Sequence, residues 1–434
     1  MGTGALAAPV FRESLAPWLA TVATTAPFMA LAVLALYVVD DDGVVFELFA
    51  RPGDREDRRL YGLAGFSLSV AGVALMSLQF GMPVGTFVGA VLVVSYGNLA
   101  ARLTGRVSAD PIVAATGFAL GGFAAALAGQ AYAAAVVGRP IALPTMAFLA
   151  ASGALLGALM RSVLFERDDP LVIVSVALLL WLFADLSVAV TTTRIAVALA
   201  VTVVLGYVSY ALETASVPGM LTGIFLGLLT IVLGDYGWFA ILIAFFGIGG
   251  LAAKFRFEEK QSRGVAQANE GARGSGNVLA NSLTALAAVL AAAASPTHIP
   301  LDPAVFLFAF SGSVAAALSD TLSSELGGLF DGPRLITTFE SVSPGTNGAV
   351  TWQGELAGIA GAAVIAGIAA LSFDPVGAGG ATVIVVAGVF GMTVDSLLGA
   401  TLEGDWLGNQ GVNFCATLAA ALAGGALAAL AGVV

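Results

Sequence analysis

Acidic side chains within apolar segments of the C-terminal half are the residues best suited to chemistry. Asp320 and Glu325 lie near the end of one such segment, and Asp395 lies near the end of the next but one. Ionisable residues are costly inside a bilayer and usually serve a function there. Three carboxylates at one depth suit Mg²⁺, a hard cation that prefers oxygen ligands. The three residues therefore predict a metal site, and carboxylates that only cap or border their helices are the alternative interpretation.

Two further stretches contain residues that could hold phosphate groups. The sequence Thr-Asn-Gly at 346–348 is typical of tight turns, which expose backbone N–H groups to an anion. A basic, glycine-rich stretch at 273–276 precedes a predicted helix start, and helix N-termini bind phosphate. The candidate ligands are Lys260, Arg273, Asn277, Asn281, Arg334, Thr346, Asn347, Gly348 and Asn413. Ordinary turns, helix caps and basic anchors at the membrane surface are the alternative explanation.

The elements that position these residues must be membrane-spanning helices. Of the 434 residues, 59% are hydrophobic and 10% are charged, with a mean hydropathy of +0.96, whereas soluble domains contain about 25% charged residues. Cys415 is the single cysteine, which excludes a disulfide framework and a cysteine-based zinc site. The net charge of −11 argues against a nucleic-acid partner. Because the single histidine, His298, lies on the predicted outer side, histidine acid–base catalysis at the inner face is excluded.

Apolar stretches long enough to cross a bilayer predict an all-α polytopic membrane protein with about 13 to 14 transmembrane helices. These stretches begin near residues 16, 61, 84, 111, 141, 171, 194, 217, 236, 277, 303, 350, 379 and 412. In a fourteen-span arrangement, 14 of the 17 Lys and Arg residues fall on one side, and positive loops stay in the cytoplasm. We therefore predict an integral protein of the cell membrane, with both termini outside and the candidate site at the cytoplasmic face.

The motifs from about residue 217 to 434 resemble the integral membrane family called domain of unknown function 92, which includes transmembrane protein 19 and the plant phytyl-phosphate kinase. The matching motifs are Arg273 with Asn277 to Asn281, Asp320-Thr321 with Ser324-Glu325, Arg334 to Thr338, Pro344 to Gly348, Asp395-Ser396 with Gly399-Ala400, and Val412-Asn413. The resemblance implies a kinase that transfers the terminal phosphate of CTP, or of another nucleoside triphosphate, to an isoprenoid lipid monophosphate.

Under this hypothesis, Asp320, Glu325 and Asp395 bind Mg²⁺ and form the catalytic set together with Arg334, while the basic and amide residues listed above bind the nucleotide. A phosphate monoester is already an anionic nucleophile, so the reaction needs positioning and charge neutralisation more than a base. A secondary transporter of a lipid or anionic solute is one alternative, and it requires polar residues near mid-span. A CTP-dependent cytidylyltransferase that makes a CDP-lipid is another, with a similar set of carboxylates.

The N-terminal half resembles a degenerate kinase unit of the phytol and dolichol type. The stretch 97–105 aligns with 319–327, which puts Asn98 in the place of Asp320, and Arg161 falls in the place of Asp395. Both carboxylates are missing at the matching positions. We therefore expect two related halves, an N-terminal membrane unit of residues 1–165 and a catalytic membrane domain of residues 166–434. Chance alignment of helices that are rich in small residues is the alternative explanation.

Overall fold

Long apolar helices make up almost all of the computed structural model, which describes residues 2–164, 168–186, 188–213, 215–266 and 275–434. The chain divides into two compact units, Met1–Val197 and Ala198–Val434. The predicted boundary between residues 165 and 166 lies outside the described residues. Helix Asp169–Asp185, which we assigned to the second domain, instead packs within the first unit, because Asp169 is buried there against basic and amide side chains.

Among the described residues, the first unit contains four short helical segments and six longer helices. The short segments are a 3₁₀ helix at Gly2–Leu6, α1 (Ala7–Ser14), α3 (Val44–Phe49) and α4 (Pro52–Asp57). The longer helices are α2 (Pro17–Tyr37), α5 (Tyr61–Gln79), α6 (Val84–Gly105), α7 (Pro111–Val136), α8 (Leu143–Val163) and α9 (Asp169–Asp185). The next helix, α10 (Thr192–Ala211), runs across the boundary between the units.

The second unit contains the remaining helices and one small hairpin. The helices are α11 (Val217–Leu229), which continues as a π-helical turn at Thr230–Gly234, α12 (Tyr236–Lys254), α13 (Phe257–Ser262), α14 (Ser275–Ala294), α15 (Pro303–Gly327), α16 (Trp352–Ser372), α17 (Gly377–Thr401) and α18 (Asn409–Leu430). Strands β1 (Arg334–Leu335) and β2 (Ala349–Val350) pair antiparallel, with Leu335 opposite Ala349. The hairpin closes the long connection between α15 and α16.

The membrane-spanning prediction is confirmed by the helix lengths and compositions. In the described part of the chain, 13 helices are long and apolar enough to cross a membrane. The fourteenth predicted span is α9, whose 17 residues lie at the lower limit of about 17 residues for a transmembrane helix. The protein is therefore a polytopic, all-α integral membrane protein.

Short polar residues define where several of these helices begin. The Asp302 side chain accepts a hydrogen bond from the backbone N–H of Ala304, and Pro303 occupies the first turn of α15. At the start of α16, Thr351 accepts from the N–H of Gly354 in the same way. A capping oxygen and a first-turn proline both suit a helix N-terminus, where the first N–H groups lack helical partners. The sequence therefore determines locally where α15 and α16 begin.

Candidate active site

Helix α15 lies at the centre of the second unit and contacts α12, α14, α16, α17 and α18. Small residues set its register against two of these neighbours. A Cβ atom on Gly391 of α17 would lie 2.4 Å from Cβ of Ala316 on α15 and 3.1 Å from the carbonyl oxygen of Ala416 on α18. One helical turn further toward the predicted cytoplasmic end, the same three helices present Asp320, Asp395 and Asn413.

Helix α14 adds a second amide residue at this depth. The hydroxyl groups of Thr284 on α14 and Thr417 on α18 are 3.3 Å apart, so one turn toward the same end brings Asn281 level with Asn413. Both asparagines are buried. The Nδ2 group of Asn281 donates to the carbonyl oxygen of Asn277 at 2.9 Å. Four helices thus contribute one layer of polar side chains.

The carboxyl groups of Asp320 and Asp395 contact each other within hydrogen-bonding distance. Both residues are half-buried. Two carboxylates in contact repel each other unless a proton or a cation lies between them. The pair lies about two helical turns from the ends of α15 and α17, within the last third of each helix. The structure therefore brings two of the three predicted carboxylates together, and their contact defines the candidate site.

Glu325 and Lys260 do not have the roles that we predicted for them. Their side chains are 3% and 1% exposed, and Lys260 Nζ lies 2.5 Å from Glu325 Oε2. The same ammonium group donates to the carbonyl oxygens of Ala252 and Ala253 in the last turn of α12, at 2.9 and 2.6 Å. Lys260 therefore uses its three N–H donors inside the protein and is not placed to bind phosphate.

The structure does not bring the predicted metal ligands Asp320, Glu325 and Asp395 together as a group of three. Among the described residues, no three carboxylate, histidine or cysteine side chains are close enough to hold one ion. The physical reason is that α13 places Lys260 beside the last turn of α12, where its ammonium group binds one oxygen of Glu325. The other oxygen, Glu325 Oε1, is buried and has no hydrogen-bond partner in the structure.

A cleft of about 440 Å³ lies next to Glu325 at the same end of the helices. Its walls come from residues 264–266, the end of α15, the loop before α16 and Asn409 at the start of α18. The predicted ligands Thr346 and Asn347 line it. The cleft volume falls within the range of about 300 to 1,000 Å³ for small-molecule sites.

The turn at 344–348 connects the cleft with the aspartate pair. Gly348 has a φ of +72°, and a Cβ atom there would lie 2.5 Å from the backbone nitrogen of Ala400 and 2.6 Å from the carbonyl oxygen of Ser396. Only glycine suits both this backbone conformation and such a close approach to α17. Gly348 therefore fixes the turn against the helix that contains Asp395.

Three other predicted ligands have different outcomes. Arg334 is exposed in β1, where its Nη1 group donates to the carbonyl oxygen of Phe339 at 2.7 Å. It does not line the cleft formed by the described residues, so the predicted catalytic position of Arg334 is not reproduced. Asn277 lies in the first turn of α14, and Gly276 beside it contacts the side chain of Gln410. Arg273 lies outside the described residues.

Two acidic residues near the pair were not among our candidates. Glu355 in the first turn of α16 and Glu403 after α17 both lie close enough for their charges to act on Asp320, and Glu403 acts on Asp395 as well. The sequence signal was weak because single acids near the ends of spans are common. Their presence makes the surroundings of the pair strongly negative.

Comparison with known proteins identifies the family. The family model described as integral membrane protein DUF92 matches residues 200–421, which is more than half of the chain. The chain belongs to the DUF92 integral membrane family. The match begins close to the start of the second structural unit at Ala198. The family resemblance inferred from the motifs is thereby confirmed, and the aspartate pair lies inside the DUF92 region.

Several relatives of this DUF92 protein cover the same region. An uncharacterized membrane protein of Methanocaldococcus jannaschii is 34% identical over 213 residues, covering 48% of this chain and 82% of the relative. An uncharacterized membrane protein of Synechocystis is also 34% identical, covering 42% of this chain and 71% of the relative. Protein VTE6, chloroplastic, of Arabidopsis thaliana is 29% identical, covering 46% and 60% respectively. No solved structure matches this DUF92 protein significantly.

The first unit, which lies outside the DUF92 match, contains a counterpart of the aspartate pair in which basic and amide side chains surround one carboxylate. Asn98 Nδ2 on α6 lies 3.2 and 3.3 Å from the two carboxylate oxygens of Asp169, and Arg161 Nη1 on α8 lies 3.4 Å from Asp169 Oδ1. Arg51 Nη2 binds the same carboxylate at 2.5 Å. The side chains at positions 98 and 161, which align with Asp320 and Asp395, therefore both contact Asp169. Unlike the aspartate pair, the buried carboxylate of Asp169 is neutralised by arginine side chains.

Proposed function

We propose that this DUF92 protein is a membrane-embedded kinase that transfers the terminal phosphate of CTP, or of another nucleoside triphosphate, to an isoprenoid lipid monophosphate. The observation that supports this most directly is the Asp320–Asp395 contact in a negative, partly buried site. The resemblance of the motifs to the family of the plant phytyl-phosphate kinase supports the substrate class. The active face in this proposal is cytoplasmic, where nucleotides are available.

The aspartate pair fits a magnesium ion. Mg²⁺ is usually bound through one or two carboxylates, with substrate phosphates and water completing its ligands. Asp320 and Asp395 would hold it, and the other charged side chains that act on this pair among the described residues are all acidic. When bound, the ion supplies charge neutralisation to the phosphate groups of the donor. Glu325 is not part of this site, because Lys260 already binds it.

The chain itself positions the two substrates. A lipid monophosphate needs little base catalysis, since it is already anionic, so alignment with the donor phosphate is the main requirement. The buried amides of Asn281 and Asn413 lie level with the aspartates and can orient phosphate oxygens. The turn at 344–348, held against α17 by Gly348, directs the donor toward Asp395.

The depth of the aspartates favours a kinase over a transporter. A carrier places its polar residues near the bilayer midplane, whereas Asp320 and Asp395 lie in the last third of helices of 25 residues each. The adjoining cleft contains loop residues, which also suits a substrate that arrives from the aqueous side. A cytidylyltransferase would use a similar pair, and the label that reaches the lipid distinguishes the two enzymes.

The test uses the purified full-length protein with prenyl monophosphates of several chain lengths and each of the four nucleoside triphosphates. A kinase transfers label from the γ-phosphate to the lipid, and a cytidylyltransferase transfers the nucleotide's CMP part. We expect γ-label in a lipid diphosphate, detected by mass spectrometry. Transfer of labelled CMP, or no lipid product with any nucleotide, would refute the kinase proposal.

The aspartate pair is tested with Asp320→Asn and Asp395→Asn. Each substitution removes a charged ligand worth several kcal/mol of charge stabilisation, so we expect phosphoryl transfer to fall at least a hundredfold, which about 2.7 kcal/mol would produce. The matched control is Asp405→Asn, because Asp405 is exposed in the loop after α17. Wild-type turnover in either pair variant, with insertion unchanged, would contradict the assigned role.

A further inference from the structure

The cleft beside Glu325 has a different chemical character from the aspartate pair. It is lined by hydroxyl and amide groups of Ser323, Ser324, Thr346, Asn347, Thr351 and Asn409, and by glycine backbone. Among the described residues, no Lys, Arg or His side chain lines it. A pocket for the phosphate groups of a nucleotide would require positive charge or a metal ion. The cleft is therefore suited to an uncharged, hydrogen-bonding part of a ligand.

Apolar residues also line this cleft. Phe330, Pro333, Pro344 and Val265 all line it. Phe330 is 43% exposed although it is a large aromatic residue, so one face of its ring is open to a ligand. Aromatic rings that border polar clefts are typical stacking partners for planar bases.

Glu325 lines the same cleft and has a buried hydrogen-bond acceptor atom. Its Oε2 atom is bound by Lys260, while Oε1 is buried without a partner. An unsatisfied buried polar atom costs free energy of folding, so a ligand donor that bonded to Oε1 would remove this cost. Because Lys260 neutralises the charge, Glu325 can accept from a neutral hydroxyl or amine without being drawn into the metal site.

We propose that this cleft binds the nucleoside part of the phosphate donor, with the base stacked on Phe330 and a sugar hydroxyl or exocyclic amine donating to Glu325 Oε1. The assignment rests on the proposed kinase function. It places the donor phosphates toward the aspartates, because Glu325 and Asp320 lie on one helix within charge-interaction distance and Gly348 connects the cleft wall to α17. Glu325 is then a specificity-determining residue, and Lys260 is a positioning residue that acts through it.

The stacking partner is tested by equilibrium binding of ATP, CTP, GTP, UTP and inorganic tripolyphosphate to the full-length protein with Mg²⁺. Phe330→Ala should weaken the binding of the best nucleoside triphosphate about tenfold, which is within the range measured for base–aromatic stacking. The binding of tripolyphosphate should be unchanged. Phe330→Tyr should bind like the wild type. The matched control is Phe339→Ala, since Phe339 is 65% exposed in the same loop but does not line the cleft.

The acceptor is tested with analogues that each lack one hydrogen-bond donor. The 2′-deoxy and 3′-deoxy forms of the best nucleotide lack a sugar hydroxyl, and UTP lacks the exocyclic amine of CTP. The wild type should bind one of these analogues about tenfold more weakly than its parent. In Glu325→Gln, we expect the amide oxygen to remain bonded to Lys260. The amide NH₂ group then takes the place of Oε1, so a hydrogen-bond donor replaces the acceptor. The discrimination should then disappear, and unchanged discrimination in this variant would overturn the role of Glu325.

Failure of this inference can be distinguished from failure of the kinase proposal. If the wild type phosphorylates a prenyl monophosphate but Phe330→Ala matches Phe339→Ala, the cleft does not hold the nucleoside and the kinase proposal stands. The nucleoside assignment is also overturned if Phe330→Ala weakens the binding of tripolyphosphate as much as that of the nucleotide. It is overturned as well if Phe330→Ala raises the KM for the lipid and not the KM for the nucleotide. If no nucleotide supports lipid phosphorylation by the wild type, both proposals fall.

Discussion

Replacing Lys260 with methionine removes the ammonium group from the buried pair with Glu325 while keeping most of the side-chain volume. The substitution deletes the 2.5 Å ion pair and the two hydrogen bonds to Ala252 and Ala253. Removing one partner of a buried ion pair typically costs about 3–5 kcal/mol, because the remaining charge is left uncompensated. For a unit of the size of residues 198–434, this corresponds to a fall on the order of 10 °C in the unfolding midpoint.

The assay is the apparent thermal unfolding midpoint of the purified protein in detergent, measured at one scan rate for all variants. Lys254→Met is the control, since Lys254 is exposed and its Nζ donates to the carbonyl oxygen of Leu212 alone among the described contacts. We expect Lys254→Met to change the midpoint by less than a third as much as Lys260→Met. The double variant Lys260→Met with Glu325→Gln should recover part of the loss, because neither side chain is then charged. Equal midpoints for the two lysine variants would refute the buried pair.

Three further predictions concern topology and the first unit. Single cysteines at Gln261 and Ser343, in a Cys415→Ser background, should react with an impermeant thiol reagent only after cells are permeabilised, and labelling of either in intact cells would overturn the cytoplasmic assignment. Asn98→Ala should leave phosphoryl transfer within about threefold, or ~0.7 kcal/mol, and a selective larger loss would give the first unit a direct role in the reaction. Asp169→Asn, which leaves two arginines without their shared carboxylate, should lower the unfolding midpoint more than Asn98→Ala does; similar midpoints would show that the cluster adds little stability.

The helices and their place in a membrane follow from the sequence because hydropathy is a local property. An apolar stretch of membrane-spanning length must satisfy its backbone N–H and C=O groups internally, and a helix does this within one segment. All fourteen predicted stretches are helices, including α9, whose 17 residues match the shortest spans. Local caps such as Asp302 and Thr351 also predict where α15 and α16 begin.

Side-chain partners across helices were decided only by the tertiary structure. Asp320 and Asp395 meet because small residues such as Gly391 set the register of α15 against α17 and α18, and hydropathy contains no information on helix rotation or register. The position of Lys260 was predicted wrongly for a related reason. A lysine beside a span normally faces water or lipid headgroups, but the backbone bend before α13 turns this one inward to Glu325. The sequence therefore determined which residues lie near the membrane surface, while helix packing determined which of them form pairs.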